Sequence, residues 1–373
     1  MADSTAGMGS PTHTLLVASL RFVATVEEAM TLPPYLGSTL RGAFGHALKE
    51  VGCFYRERGA PCEGCVENRG ALAEGRATRC VYGYIFETPR PPGAPLHERQ
   101  PEVPHPYVIR PVSPADGGVG GDRGGDVGED GRRTYAAGAP LAFEMLLFGR
   151  GIDHVGAVVE AGVRMTRSGL GAGRWTAEVR EVWEQDPFGT VRRPLPFLLD
   201  RSALTLVAGW DEAVTRARTL AVGMVALQFL TPAHLVRDDY AIRVPAFPIV
   251  ARPLLRRLTA LAVLHGDGGE APGDHFARLA RQAEGVRLAD WHGEWRDWER
   301  YSARQDRRMT FGGVVGTAVY EGDVAPFLPY LVYGQATHVG KQSTFGAGRY
   351  RIIGGGIPDG DTAETMHSQA AGA

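Results

Sequence analysis

Two residue types suited to proton transfer and charge stabilisation stand close together near the start of the chain. His46 and Lys49 are three residues apart in the segment LRGAFGHALKEVG. If this segment is helical, residues three apart are neighbours on its surface and can face one ligand. A histidine side chain titrates near neutrality and exchanges protons readily, so His46 is the leading candidate for acid–base chemistry. The alternative is that His46 caps or packs against a neighbour.

A glycine-rich segment near the C-terminus, GQATHVGKQSTFGAGRYRII, combines flexible backbone with one lysine. Gly340, Gly346 and Gly348 surround Lys341, and exposed amides beside an ammonium group can bind phosphate oxygens. The spacing is not that of a Walker loop, and a tight turn before a last strand is the alternative. His338 precedes this loop and is a second candidate for proton transfer, unless it only ends an amphipathic helix.

All four cysteines fall in one short segment with the pattern C-x8-C-x2-C-x14-C. The central CEGC has the spacing that places two thiolates on one tetrahedral ion. We therefore expect a structural zinc ion that joins a long loop and takes no part in the chemistry; partial occupancy or buried thiols are the alternative. The four expected ligands are Cys53, Cys62, Cys65 and Cys80.

Arginines recur every four residues between positions 296 and 308, interleaved with Trp298 and Tyr301. In a helix this spacing would form one basic stripe, which can follow a phosphate backbone while an aromatic ring stacks on a base. A solvated face with internal ion pairs is the alternative, because acidic residues alternate with the basic ones. The arginines are Arg296, Arg300, Arg304 and Arg308.

The composition is that of a globular protein whose overall charge does not attract polyanions. The 373 residues include 40 basic and 42 acidic side chains, for a formal net charge of −2, so any nucleic-acid site must be a local patch. The N-terminus lacks the features of a secretory signal, and no apolar run reaches the length of a spanning helix. These features predict a cytoplasmic protein without a membrane partner.

The elements that must position these residues form two similar halves. Apolar and β-branched runs predict strands at 14–26, 140–148 and 174–184, and helical spacing predicts helices at 40–52, with residues 37–39 as its cap, and at 151–163. The second half repeats strands and helices up to the strand RYRII. We predict an α+β protein of two tandem ferredoxin-like domains, 12–202 and 203–354, with a cysteine-rich insertion (53–80), a disordered loop (112–134) and a flexible tail (355–373).

Several of these segments, taken in order, carry a family resemblance. They are GSTLRGAFGHALK, CEGC, CVYGYIFETP, FLTPAHLVRDD, WERYSARQ, FGGVVGTAVY and HVGKQSTFGAGRY. From about residue 14 to 353 the chain resembles the CRISPR-associated endoribonucleases that process precursor CRISPR RNA, the "Cas six" family of the RAMP superfamily. The resemblance implies two RRM-like domains, binding of CRISPR repeat RNA, and metal-independent cleavage that leaves a 2′,3′-cyclic phosphate, with no catalytic cofactor.

The chemistry of this cleavage predicts roles for particular residues, and the resemblance implies a histidine on the first helix with a tyrosine and a lysine near it. Such cleavage needs a base for the 2′-hydroxyl proton, a cation for the phosphoryl oxygens and an acid for the leaving 5′-oxygen. His46 would be the base or acid, with Lys49 and Lys341 as cations and Tyr35 as a helper. Arg41 and the arginines of the stripe would hold the RNA backbone.

Two other functions stay open at this point. One is a non-catalytic RAMP subunit that binds guide RNA among the other subunits of a CRISPR effector complex, which needs no histidine. The more distant one is a zinc-containing scaffold protein with no RNA partner.

Overall fold

The structure is a computed structural model that describes residues 15–53, 80–90, 103–112, 126–128, 131–221, 223–266, 273–302 and 307–353. Within these residues, helices pack on antiparallel sheets in both halves of the chain. The predicted α+β class is confirmed. No helix in this part of the chain is long and apolar enough to cross a membrane.

The first half is built around strand β1, whose sequence VASLRFVATV is rich in apolar and β-branched residues. Such residues favour strands, and a strand buried on both faces reads as a continuous apolar run. The elements of this half are β1 (Val17–Val26), β2 (Met30–Leu32), α1 (Gly37–Gly52), β3 (Tyr107–Pro111), β4 (Asp126–Val127), β5 (Arg133–Tyr135), β6 (Pro140–Phe148), α2 (Val155–Ser168), β7 (Ala177–Gln185) and β8 (Arg192–Leu195).

The main sheet of the first half has the order β3-β6-β1-β7-β8, with antiparallel neighbours. Helix α1 contributes Leu40, Phe44 and Leu48, spaced four residues apart, to the same core as Phe22 of β1. Gly162 of α2 lies so close to the Phe22 ring that a Cβ atom there would overlap it. Both helices therefore contribute to the core on this sheet, and their remaining faces are available for a site.

The second half repeats this arrangement with a four-stranded sheet of order β12-β13-β9-β14, again antiparallel. If the main strands of each half are numbered along the chain (β1, β3, β6, β7 and β9, β12, β13, β14), the order across both sheets is second, third, first, fourth. The elements are α3 (Trp210–Ala217), β9 (Met224–Ala233), β10 (Val236–Arg237), β11 (Tyr240–Ala241), α4 (Phe247–His265), α5 (Gly273–Gln282), β12 (Arg287–Ser302), β13 (Arg307–Glu321), α6 (Leu328–Thr337) and β14 (Tyr350–Ile352).

The two halves share buried contacts. Leu15, Val17 and Phe148 of the first half belong to the core cluster that is formed mainly by the second half. The buried Tyr333 hydroxyl of α6 donates a hydrogen bond to the Leu15 carbonyl oxygen at 2.6 Å. Residues far apart in the sequence can therefore line one site between the halves.

Two sequence expectations about elements differ from the structure. The arginine stripe at 296–308, which requires a helix, is not helical in the described residues, because Arg296 and Arg300 lie in β12 and Arg308 lies in β13, and these antiparallel strands pair from Arg287 and Glu321 to Ser302 and Arg307. The loop predicted to be disordered at 112–134 contains β4 and the start of β5, and β5 also pairs with β2. Most of the cysteine-rich insertion and the tail lie outside the described residues.

Candidate functional site

A cleft of about 1280 Å³ opens between α1, the residues before it, the loop that joins α2 to β7, and the β12 strand. We call it the central cleft. It is lined by segments of both halves of the chain. The lining residues that matter for the chemistry are Tyr35, His46, Glu50, Arg132, Gly171, Ala172, Gly173, Arg174, Trp175, Asp297 and Trp298.

His46 is exposed and lines the central cleft. It projects from α1 on the side away from the buried Phe44 and Leu48, so the amphipathic pattern that anchors the helix also directs this side chain outward. Its ring makes no hydrogen bond within the described residues, and Glu50 follows one turn later on the same cleft wall. An accessible imidazole without a structural partner is free to exchange protons with a ligand.

Lys49 does not line the central cleft, although the sequence predicts that it faces the same ligand as His46. Its side chain is half-buried, and its Nζ lies 5.8 Å from the centroid of the Tyr82 ring, within the range of a cation–π contact. Three residues along a helix correspond to a rotation of about 60°, which here separates the two side chains.

Tyr35 lines the cleft with its ring, which stacks on Trp298 at a centroid distance of 3.9 Å and an interplanar angle of 11°. Its hydroxyl donates a hydrogen bond to the carbonyl oxygen of Phe345. Burial raises the pKa of this hydroxyl above its ordinary value, so Tyr35 stays protonated at neutral pH. It joins the start of α1, the glycine-rich loop and the β12 strand.

The glycine-rich loop, residues 340–348, uses its glycines to fit against the protein. Gly340, Gly346 and Gly348 have φ values of 87°, 86° and 69°, in the left-handed region that favours glycine. The Gly346 amide donates to the Ser343 carbonyl oxygen at 2.9 Å, and the Gly348 amide donates to that of Pro232 at 3.0 Å. The prediction that these two amides are exposed for phosphate binding was wrong.

Lys341 is the part of this loop that faces solvent. Its side chain is exposed, while its backbone amide donates to the His234 carbonyl oxygen at 3.0 Å. It does not line the central cleft, and so it can contact RNA only outside that space.

His338 is fully buried and serves as the last link between α6 and the glycine-rich loop. Its Nε2 accepts a hydrogen bond from Arg110 Nη1 at 3.1 Å, and its Nδ1 donates to the Ala347 carbonyl oxygen at 3.2 Å. Burial, together with the charge of Arg110, lowers the pKa of His338 well below its ordinary value. The structure thus places this second candidate away from solvent, as a neutral ring with both nitrogens occupied.

Arg110 continues this buried network into the first half. Its Nε donates to the Glu144 carboxylate at 2.7 Å, and Gln185 donates to the same carboxylate at 2.9 Å. Burial opposes ionisation of Glu144, but Arg110 and Arg349 outweigh it and lower its pKa to about 2. The network fixes the glycine-rich loop against the first sheet.

Arg41 is held between aromatic rings rather than presented to solvent. Its guanidinium carbon lies 4.4 Å from the centroid of the Phe86 ring and 5.0 Å from that of Phe345, and its Nη2 lies 3.4 Å from His105 Nε2. The side chain therefore stabilises the contact between α1 and its neighbours.

The arginines of the predicted stripe lie on a hairpin and not on a helix. Arg296 is exposed on β12 and pairs with Glu294 at 2.6 Å. Arg300 and Arg308 belong to β12 and β13, where only the backbone is described, and Arg304 lies outside the described residues.

Two of the four cysteines are described. Cys53 follows α1, and the buried Cys80 thiol donates to the Gly52 carbonyl oxygen at a distance of 3.7 Å, so both lie at the same end of α1. Cys62 and Cys65 lie outside the described residues. In the part of the chain that the structure describes, no group of three or more histidine, cysteine or acidic residues could hold a metal ion, and the zinc site stays a prediction.

The sequence interpretation did not identify Arg174, Trp175 or Trp298 as residues that line the cleft. A signal was present for the first two, because three alternating glycines, Gly169, Gly171 and Gly173, precede them. Trp298 was noted only as part of a helical stripe.

Comparison with known proteins defines the class. A family model for the CRISPR-associated endoribonuclease Cas6 matches residues 227–350, and a model described as an N-terminal domain matches residues 15–201. No curated protein matches the sequence.

Solved structures agree with these models. The chain is similar to the product complex of Thermus thermophilus Cas6 (TTHB231), with a TM-score of 0.50, 14% identity, and coverage of 91% of this chain and 99% of that one. It is also similar to a chain of a partial Cas6-RT-Cas1–Cas2 complex, with a TM-score of 0.51, 11% identity, and coverage of 91% of this chain and 46% of that one. Residues 227–350 thus match the Cas6 endoribonuclease family, and the fold of the chain is similar to that of solved Cas6 chains.

Proposed function

We propose that this protein is an endoribonuclease that cuts CRISPR repeat RNA in precursor transcripts to yield crRNA. The proposal rests on the position of His46, an exposed histidine that lines a cleft of about 1280 Å³ and makes no hydrogen bond to the residues that the structure describes. The match of residues 227–350 to a family of CRISPR-associated endoribonucleases supports the substrate class. A product complex of a similar protein supports the same reaction type for this fold.

The architecture behind this function is a pair of ferredoxin-like domains, 12–202 and 203–354. The equal strand order of the two sheets, with two helices in each half that contribute to the buried cores, supports this interpretation. In the first half β8 extends the sheet at one edge. The central cleft then lies where the two domains approach each other.

The proposed reaction needs no external nucleophile. The 2′-oxygen of the RNA attacks the adjacent phosphorus, the bond from phosphorus to the 5′-oxygen breaks, and a 2′,3′-cyclic phosphate remains. The proton of the 2′-hydroxyl passes to a base, and the leaving 5′-oxygen receives a proton from an acid. His46 performs one of these two transfers, which general acid–base catalysis makes about 10²- to 10⁴-fold faster.

The other predicted catalytic residues take supporting positions. The Tyr35 hydroxyl binds the glycine-rich loop through the Phe345 carbonyl oxygen, and Tyr35 also lines the cleft. Lys49 contacts Tyr82, and His338 is enclosed by the protein. Lys341, which is exposed, is the cation that we propose to contact RNA outside the cleft.

Incubation of the purified protein with labelled repeat RNA tests the proposal against its alternatives. Cleavage that His46→Ala abolishes supports the endoribonuclease. Binding without cleavage by the native protein favours a non-catalytic subunit that holds guide RNA, and neither binding nor cleavage favours a scaffold. The complex that joins a similar chain to Cas1 and Cas2 makes other CRISPR proteins the partners to test next.

A further inference from the structure

The turn between α2 and β7 lines the central cleft, and His46 lines the same cleft. Its sequence is SGLGAGRW, and residues 171–174 form the turn itself. It is closed by two hydrogen bonds, from the Leu170 amide to the Trp175 carbonyl oxygen at 2.8 Å and in the reverse direction at 3.1 Å. The turn is therefore a defined structure rather than a loose connection.

Arg174 adopts a backbone conformation that arginine rarely takes. Its φ is 51°, in the left-handed region, beside Gly171 at 67°. This conformation costs a non-glycine residue about 1–2 kcal/mol. Glycine would fit this position without strain, so the presence of arginine calls for a role of its side chain.

The charged end of Arg174 is available to a ligand. The residue is exposed, and in the described structure the only hydrogen bond that its side chain makes is from Nη2 to the Ser168 carbonyl oxygen at 3.1 Å. That bond uses one of five N–H donors and orients the guanidinium group. Arg132, which is also exposed, lines the same cleft and adds positive charge.

Backbone donors adjoin this side chain. Gly171, Ala172 and Gly173 are exposed, and their amides donate to no acceptor within the described residues. The Trp175 ring lies against Gly173 so closely that a Cβ atom there would overlap it. Glycine at this position thus lets an aromatic ring lie over the turn, next to the free amides.

The acidic groups of the cleft already have partners. Asp297 accepts a hydrogen bond from Trp295 Nε1 at 2.7 Å, and Glu50 lies 3.8 Å from Arg164. The negative charge in the cleft is thus partly compensated without Arg174.

We infer that residues 171–174 form a phosphate-binding turn, in which the Arg174 guanidinium and the adjoining amides bind one backbone phosphate of the RNA strand in the central cleft. This inference rests on the proposed function. Arginine recognises phosphate with several parallel hydrogen bonds, and backbone amides add donors of fixed position. The turn supplies the positive charge that Lys49 does not bring to the cleft.

The test measures binding of repeat RNA that carries a 2′-deoxy substitution at the cleavage site, so that affinity is read without cleavage. Arg174→Gly removes the guanidinium and suits the left-handed backbone, so the fold is kept. We expect its Kd to rise about tenfold or more and the salt dependence of binding to lose about one phosphate contact. The matched control is Arg167→Ala, because Arg167 is 61% exposed and pairs with Glu178 outside the cleft.

A second measurement identifies the phosphate. RNAs that carry a neutral methylphosphonate at one position each are compared for the native protein and Arg174→Gly. At one position the neutral group weakens binding to the native protein but not to the variant. If Kd and salt slope are unchanged in Arg174→Gly, or if every methylphosphonate affects both proteins equally, the phosphate-binding turn is wrong. Cleavage of unmodified RNA by the native protein is scored separately, so a failure of the proposed function is distinguished from a failure of the turn.

Discussion

At the scale of single residues, burial decides which histidines are available for chemistry. His46 lies on the outer face of α1 in the cleft, whereas His265 and His338 are buried and hydrogen-bonded to the protein. In the sequence, His46 and His338 have similar neighbours, because a lysine follows each of them after three residues. Only the three-dimensional structure shows that the second ring is enclosed between Arg110 and Ala347.

His46→Ala should reduce cleavage of repeat RNA about 10²- to 10⁴-fold while Kd for the RNA stays within a few-fold, because a proton-transfer group is lost and the backbone contacts remain. Single-turnover kinetics and a binding titration measure both. His292→Ala is the control, since His292 is a 77% exposed histidine on β12 that does not line the cleft. Cleavage at the native rate by His46→Ala would remove His46 from the mechanism.

Buried neutral histidines should also make the fold sensitive to acid. Burial lowers the pKa of His265 to about 4 from an ordinary value near 6.5, so the unfolded chain binds this proton first. The contribution of His265 to the free energy of unfolding is therefore retained above pH 6.5 and lost as the pH falls toward 4. Between pH 7 and pH 5 this residue lowers the free energy of unfolding by about 2 kcal/mol. Urea unfolding of His265→Asn should show a shallower loss over that interval. An identical pH dependence in both proteins would contradict this.

At the scale of elements, the local pattern predicts the helix and strands that carry a clear period. Helix α1 follows from Leu40, Phe44 and Leu48 at every fourth position, and β1 from its apolar, β-branched run. The hairpin of β12 and β13 did not follow, because arginines four residues apart share one face in a strand as well as in a helix. Pairing of β13 with β9 decides the outcome, and that contact is not local.

The residues of the glycine-rich loop divide between a structural role and a proposed binding role. Its glycines pack closely against neighbouring backbone, whereas the Lys341 side chain is exposed to solvent. Lys341→Gln should weaken RNA binding and lower the salt slope by about one phosphate contact without loss of stability. Arg180→Ala is the control, because Arg180 is an exposed cation on β7 that pairs with Glu178. Unchanged affinity and slope would leave the loop as a structural turn.

The cysteine-rich segment carries the zinc prediction. Cys53 and Cys80 lie at the same end of α1, Cys62 and Cys65 lie outside the described residues, and the site of four thiolates stays a prediction. Elemental analysis of the purified protein should then find about one zinc ion per chain, and Cys62→Ser should lower it. A folded protein with no metal and four freely titrating thiols would refute the prediction.

At the scale of the whole molecule, the proposed function depends on segments that lie far apart along the chain. The central cleft joins α1, the turn at 171–174 and Trp298 of the second half. The family and the candidate histidine were accessible from the sequence, because motifs are local. The cleft partners of His46 were not, because Arg174 is more than a hundred residues away and nothing local marks the two as neighbours.

The most direct test of the proposed mechanism is a single 2′-deoxy substitution in repeat RNA, immediately 5′ of the cut. The mechanism takes its attacking oxygen from the RNA, so the deoxy substrate should bind with nearly the native Kd and remain uncut, while the unmodified RNA is cleaved to a 2′,3′-cyclic phosphate. Cleavage of the deoxy substrate at a comparable rate would show that water attacks instead. That result would contradict the mechanism centred on His46 even though the family assignment stands.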